Sequence, residues 1–160
     1  MENTVSPNIL LTLGLGTIAG MRAMCAPALL SHFLAKTPVA HLKNSPLHYL
    51  QEPKVAIGLK LLAAAELVGD KMPNTPNRTI APQLLVRVSS GALAGATLYQ
   101  IYGEQKLIGA LLGGLAAAAS TYAFYYLRKE LVAATGLPDA AVAVLEDALA
   151  VAGGVALLKD

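Results

Sequence analysis

The chain has 160 residues, of which 12 are lysine or arginine and 10 are acidic, giving a formal net charge of +2. Only 14% of its residues are charged and 55% are hydrophobic, whereas a soluble domain has about 25% charged residues. The apolar content excludes a disordered chain, and the lack of a basic run argues against a nucleic-acid-binding protein. We therefore expect an integral membrane protein that forms one domain over residues 1–160.

Five apolar segments are candidates for membrane-spanning helices, which need roughly 20 mostly apolar residues. In chain order they are residues 9–34, 54–70, 79–102, 107–127 and 139–158. The fourth is the clearest because it carries no charge, and the second is the weakest because it contains Lys60 and Glu66. The sequence predicts an all-α polytopic bundle of about five membrane helices, or of four plus a broken or partial helix.

Basic residues are divided almost evenly between the two sides that five segments define. One side carries Lys36, Lys43, Lys54, Lys106 and Lys159, and the other carries Lys71, Arg78, Arg128 and Lys129. This small difference does not fix an orientation by the positive-inside rule. Dual topology with antiparallel dimers is therefore an open alternative to a single orientation.

Small residues spaced four apart occur in three of the segments. The pairs are Gly16 with Gly20, Gly91 with Gly95, and Gly109 with Gly113. Such stripes permit close helix packing in lipid, either within one subunit or between subunits. We expect a homo-oligomer, most simply a dimer, with Gly91 and Gly95 as the favoured contact face.

Charged side chains inside the apolar segments are the most informative residues. Those at issue are Arg22, Glu66, Arg87, Glu146 and Asp147. A charge near the bilayer centre costs several kcal/mol unless it is paired or hydrated. Two interpretations stay open: internal ion pairs, in which Arg22 binds Glu146 or Glu66, and a polar pathway for an ion, a proton or a small solute.

A charged element at one membrane edge extends this set. Asp70 lies one helical turn beyond Glu66, and Lys71 and Arg78 flank the two prolines that follow. Prolines stiffen a turn and so hold such charges in place. The element is either an Asp70–Arg78 ion pair that closes the loop or a vestibule for an anionic or zwitterionic solute.

The sequence offers no clear catalytic or metal-binding constellation. The three histidines, His32, His41 and His48, lie near one membrane edge. Only His48 has an acidic residue four positions on, Glu52, which lies in a loop that ends at a proline, so we predict no metal and no cofactor. Cys25 is the only cysteine and is expected to pack as a small apolar residue. We therefore expect a protein that is not an enzyme, and a membrane enzyme acting on a lipid headgroup is a remote alternative.

Four stretches together resemble a known family. They are residues 20–31, 66–79, 87–96 and 145–148, which carry the Arg22-to-Pro27 element, the Glu66-to-Arg78 loop and the Glu146-Asp147 pair. In this order they are similar to the small bacterial membrane proteins grouped as a domain of unknown function, DUF4126. The resemblance covers most of the chain and implies the class of protein, but it implies no activity.

Two functions from different classes remain. The first is a bacterial inner-membrane protein that transports or conducts a small solute or ion through its charged residues. The second is a structural or accessory membrane protein whose buried charges hold it together and whose surface binds a protein partner.

Overall fold

The computed structural model describes residues 7–69 and 78–159 and is all-α over these ranges, as predicted. Its helices are α1 (Pro7–Met21), α2 (Cys25–Lys36), α3 (Pro53–Gly69), α4 (Ala81–Ile101), α5 (Lys106–Thr135) and α6 (Asp139–Lys159). Two short 3-10 helices, Ala40–Leu42 and Pro46–Gln51, lie between α2 and α3.

The first predicted span is not one helix but a hairpin of two. Contacts along α1, α2 and the continuous helix α6 fix the directions: Gly14 meets Leu157, Arg22 meets Asp147, and Leu29 meets Gly154. Thus α1 runs towards residue 147 of α6, and α2 runs back. The prediction of a continuous helix over residues 9–34 is wrong, and residues 22–24 form what we call the hairpin tip.

Pro27 gives a physical reason for the break. A proline inside a helix has no N–H to donate to the carbonyl four residues earlier, and its ring clashes with that carbonyl. Here that carbonyl belongs to Ala23, which accepts a hydrogen bond from the Ser90 hydroxyl instead. Because α2 begins at Cys25, Pro27 lies in its first turn, where the missing N–H has no cost.

Helices α1, α4 and α5 pack directly against one another through glycines. A Cβ atom built on Gly91 would lie only 2.5 Å from the Gly113 carbonyl oxygen, and one on Gly95 would collide with the Gly109 carbonyl. Gly16 meets Gly113 in the same way. The glycine stripes are therefore used inside the subunit, and the prediction that Gly91 and Gly95 form the contact between subunits is wrong.

The two ends of the bundle differ in character. At one end, which we call the loop end, the loop 37–52 meets the α4–α5 turn, and His41 Nδ1 lies 2.8 Å from the Ile101 carbonyl oxygen. At the other, the charged end, Arg128 and Asp139 form an ion pair. The hairpin enters the bundle from the loop end, since Thr12 of α1 lies beside Gly95, which packs on Gly109 close to the α4–α5 turn.

Two helices in the described ranges are long and apolar enough to cross a membrane, namely α5 and α6, with mean hydropathies of 1.6 and 1.9. Only a third of the most apolar stretch of each helix is buried within the chain. Leu107, Leu111 and Leu115 follow one another a turn apart on α5 and are 68%, 58% and 68% exposed. Composition and these exposed apolar faces indicate a membrane protein.

Candidate functional site

At the hairpin tip, where α1 ends and α2 begins, backbone N–H and carbonyl groups have no hydrogen-bond partner within a helix. The first N–H groups of a helix lack partners within it, and they attract a negative charge. The Glu66 carboxylate of α3 supplies that charge. It accepts hydrogen bonds from the N–H of Ala23 at 2.8 Å and from the N–H of Met24 at 2.7 Å. Glu66 therefore binds the N-terminal end of α2.

Arg87 of α4 binds the opposite pole, the C-terminal end of α1. Its Nη1 donates to the carbonyl oxygen of Met21 at 2.6 Å and to that of Gly20 at 3.1 Å. A cation is stabilised there because the last carbonyls of a helix carry partial negative charge. Arg87 Nη2 also lies 3.6 Å from Glu66 Oε1, so the two side chains that hold the tip form an ion pair.

Arg22, at the tip itself, points towards α6. Its side chain is fully buried, and its Nε lies 2.5 Å from Asp147 Oδ1. The prediction that Arg22 pairs with an acidic residue inside an apolar segment is confirmed, but the predicted partners, Glu146 and Glu66, are wrong. Adjacent residues on a helix point about 100° apart, so only one of Glu146 and Asp147 can face the tip.

Glu146 faces the charged end of the bundle. Arg78 binds it through two hydrogen bonds, Nη1 to Oε1 at 2.5 Å and Nη2 to Oε2 at 3.0 Å. Arg128 Nη1 lies 3.8 Å from Glu146 Oε2 and also binds Asp139, through Nε at 2.7 Å. Asp70, the partner predicted for Arg78, lies outside the described residues, as does Lys71.

Together these residues form three groups of ion pairs, which lie next to one another at the hairpin tip and along α6 and which we call the charged cluster. Its members are Arg22, Glu66, Arg78, Arg87, Arg128, Asp139, Glu146 and Asp147. It runs from Asp139, whose side chain is 66% exposed, to Arg22 at the hairpin tip. Six of the eight site residues predicted from sequence belong to it. Arg128 and Asp139 were missed because they lie at the ends of predicted spans, where charges are ordinary.

The described charges of the cluster are paired with one another. Its four arginines face four carboxylates, so the described part of the cluster is electrically balanced. Within residues 7–69 and 78–159, no three His, Cys, Asp or Glu side chains are grouped as a metal site requires. A proton or a small ion that entered the cluster would have to compete with an internal partner of the same charge.

Fold and site define an all-α protein in which a helical hairpin is held by buried charges and two of the described helices are apolar enough to cross a membrane. The chain belongs to the DUF4126 family, a domain of unknown function, whose model matches residues 9–159. No curated protein sequence and no solved structure matches the chain.

Glu146 and Asp139 provide a matched pair for testing how burial governs these ion pairs. Replacing Glu146 by Gln leaves the buried Arg78 without its charge partner and should lower the free energy of unfolding by about 3 kcal/mol. Replacing Asp139 by Asn, in the more exposed pair, should cost less than about 1 kcal/mol. Thermal unfolding in detergent micelles measures both losses of stability. Equal losses would contradict the finding that Glu146 is buried and Asp139 is exposed.

Proposed function

We propose that this protein is a non-enzymatic, multi-pass protein of the bacterial inner membrane that transports or conducts a small ion or solute through the charged cluster. Helices α3 to α6 span the bilayer, and the α1–α2 hairpin enters it from the loop end. The observation that carries the proposal is the hairpin tip, whose open backbone groups are bound by Glu66 and Arg87.

The depth of the tip supports this function. At about 1.5 Å per residue, Arg87 lies roughly 20 Å from the loop end of α4, or about two-thirds of the way through a hydrocarbon core of about 30 Å. Backbone that is not helical is tolerated at such depth only where protein buries it or where it lines a water-filled cavity. In many transporters, broken helix ends at this depth bind the substrate and its coupling ion.

The charges at the tip suggest how such a step would work. Glu66 occupies the N–H groups that would otherwise bind an anion, and Arg87 occupies the carbonyls that would otherwise bind a cation. A proton on Glu66, or an anion that competes with it, would free the N-terminal end of α2 and weaken the Glu66–Arg87 pair. Transport in this scheme exchanges internal ion pairs for pairs with the moving ion.

A structural or accessory role is the second candidate, and one observation favours it. Every carboxylate of the charged cluster lies within 4 Å of an arginine nitrogen, as expected for charges that only hold helices together. Buried pairs contribute little net stability, because desolvation offsets most of their attraction. The two candidates can be told apart by replacing one partner of an ion pair, which alters ion flux only if the charged cluster is a transport pathway.

Flux in sealed proteoliposomes tests the proposal. Glu66→Gln removes the charge at the tip while nearly preserving shape, and Glu130→Gln removes an exposed acid of α5 outside the cluster. We expect wild-type protein to conduct protons, chloride or a small organic anion, with Glu66→Gln changing that flux at least tenfold and Glu130→Gln leaving it unchanged. Wild-type protein without flux for any of these would favour the accessory role.

The proposed topology predicts which side of the membrane each loop reaches. Single cysteines at Asn44 and Glu104, in a Cys25→Ala background, should react with a membrane-impermeant thiol reagent from one side, and a cysteine at Leu137 should react from the other. Epitopes fused to the N and C termini should lie on the same side, because the hairpin returns to the side it enters. Epitopes on opposite sides would indicate that α1 and α2 together cross the bilayer.

The proposed assembly is a homo-oligomer, most simply a dimer. The glycine stripes are occupied within the subunit, so the contact would use an exposed apolar face, such as the leucine face of α5. The mass of the protein in detergent tests the oligomeric state.

A further inference from the structure

An apolar groove of about 200 Å³ opens on the surface between α2, α3 and α6. Ala28 and Leu29 of α2 and Ala63 and Leu67 of α3 form most of its walls. Cys25 lies at its deep end, beside the hairpin tip. Since α3 and α6 expose large apolar side chains on either side, the groove faces the same surroundings as the outer surface of the bundle.

The opposite end of the groove, towards the loop end, is polar and positively charged. Lys60 Nζ lies 2.8 Å from His32 Nδ1, and Lys36 follows His32 by one helical turn. The Lys60 side chain is exposed and has no carboxylate partner among residues 7–69 and 78–159. Lysine on an apolar helix extends its charged end towards the nearer membrane surface, here the loop end.

We propose that this groove binds one acyl chain of an anionic phospholipid, with the phosphate at Lys60 and His32. Charge complementarity selects the headgroup, because basic pockets between membrane helices bind anionic lipid headgroups. The apolar walls select the chain, which gains free energy with each methylene removed from water or matched by dispersion contact. The lipid would lie with its headgroup at the loop end and its chain directed at the hairpin tip.

The inference goes beyond the proposed transport, and it requires only that the protein lies in a bilayer. Its occupant would contact Cys25, which directly follows Met24, whose N–H binds Glu66. The bound chain would thereby pack against α2, the helix whose N-terminal end the proposed transport step frees from Glu66. Lipid binding and flux are separate measurements, so failure of one leaves the other interpretable.

Native mass spectrometry of the purified protein, with phosphatidylglycerol and phosphatidylcholine of identical chains added in equal amounts, tests the site. Three variants are compared with wild type. Lys60→Ala removes the headgroup contact, Ala64→Phe fills the groove from an exposed position, and Lys54→Ala removes an exposed lysine of the same helix outside the groove. Circular dichroism melting checks that each variant is folded.

We expect wild type to retain phosphatidylglycerol in preference to phosphatidylcholine, and Lys60→Ala to weaken phosphatidylglycerol binding about fivefold. Ala64→Phe should abolish the retention of both lipids, whereas Lys54→Ala should retain them as wild type does. Equal retention of the two lipids by wild type would overturn the proposal. A folded Ala64→Phe variant that binds phosphatidylglycerol normally would also overturn it. The same holds for a Lys54→Ala variant whose phosphatidylglycerol binding falls as far as that of Lys60→Ala.

Discussion

Replacing Arg22 by Leu is expected to lower the free energy of unfolding by about 3–5 kcal/mol, among the largest effects of any single substitution in this protein. Arg22 is fully buried, and its removal would leave the Asp147 carboxylate, only 12% exposed, without the cation 2.5 Å away. Removing one partner of a buried pair is costly because the remaining charge stays desolvated. Thermal unfolding in detergent micelles measures the loss.

The double variant Arg22→Leu with Asp147→Leu is the matched control. Replacing both partners of a buried ion pair by apolar residues is often neutral, since neither charge then has to be desolvated. We expect the double variant to recover most of the stability that Arg22→Leu loses. A double variant as unstable as the single one would show that Arg22 acts through contacts other than Asp147.

Replacing Gly95 by Leu should cost about 3 kcal/mol or more, because α4 and α5 touch through backbone atoms at this position. A side chain on Gly95 would collide with the Gly109 carbonyl, and its Cβ alone would lie 3.0 Å from Thr12 Cγ2. Overpacking of this kind forces the two helices apart, and it would also disturb the neighbouring contact between Gly91 and the Gly113 carbonyl. Loss of the folded monomer, and not only a change in oligomer mass, is the expected readout.

Gly58 of α3 supplies the control for this substitution. It lies within a helix as Gly95 does, but a Cβ there would meet nothing within 4 Å. Gly58→Leu should leave stability unchanged or raise it slightly, since leucine has the higher helix propensity. Similar losses at the two positions would contradict the packing of α4 on α5.

The class of fold could be predicted from hydropathy, because each apolar segment carries its own signal. The break at residues 22–24 also had a local signal in Pro27, which forbids a helix hydrogen bond to Ala23. No local signal in the sequence predicted that the chain reverses direction between α1 and α2. It depends on α2 packing against α3 and α6, and such long-range contacts do not appear in the periodicity of one segment.

The charged cluster shows the same division between local and long-range information. The cost of burying Arg22, Glu66 and Arg87 predicted that they would find partners. Which partner each one finds depends on helix rotation and on register between helices. The sequence places Glu146 and Asp147 side by side, and only the packed bundle assigns Asp147 to Arg22 and Glu146 to Arg78. That Glu66 and Arg87 bind backbone could not be foreseen without the hairpin.

Ion flux through the Arg22→Leu, Asp147→Leu double variant tests most directly whether the charged cluster carries ions or only holds the fold together. The variant is compared with wild type in sealed proteoliposomes at equal protein content, after its melting temperature has been shown to match. A transport pathway through the cluster predicts that flux is lost although stability is retained. Wild-type flux in the stable double variant would contradict it.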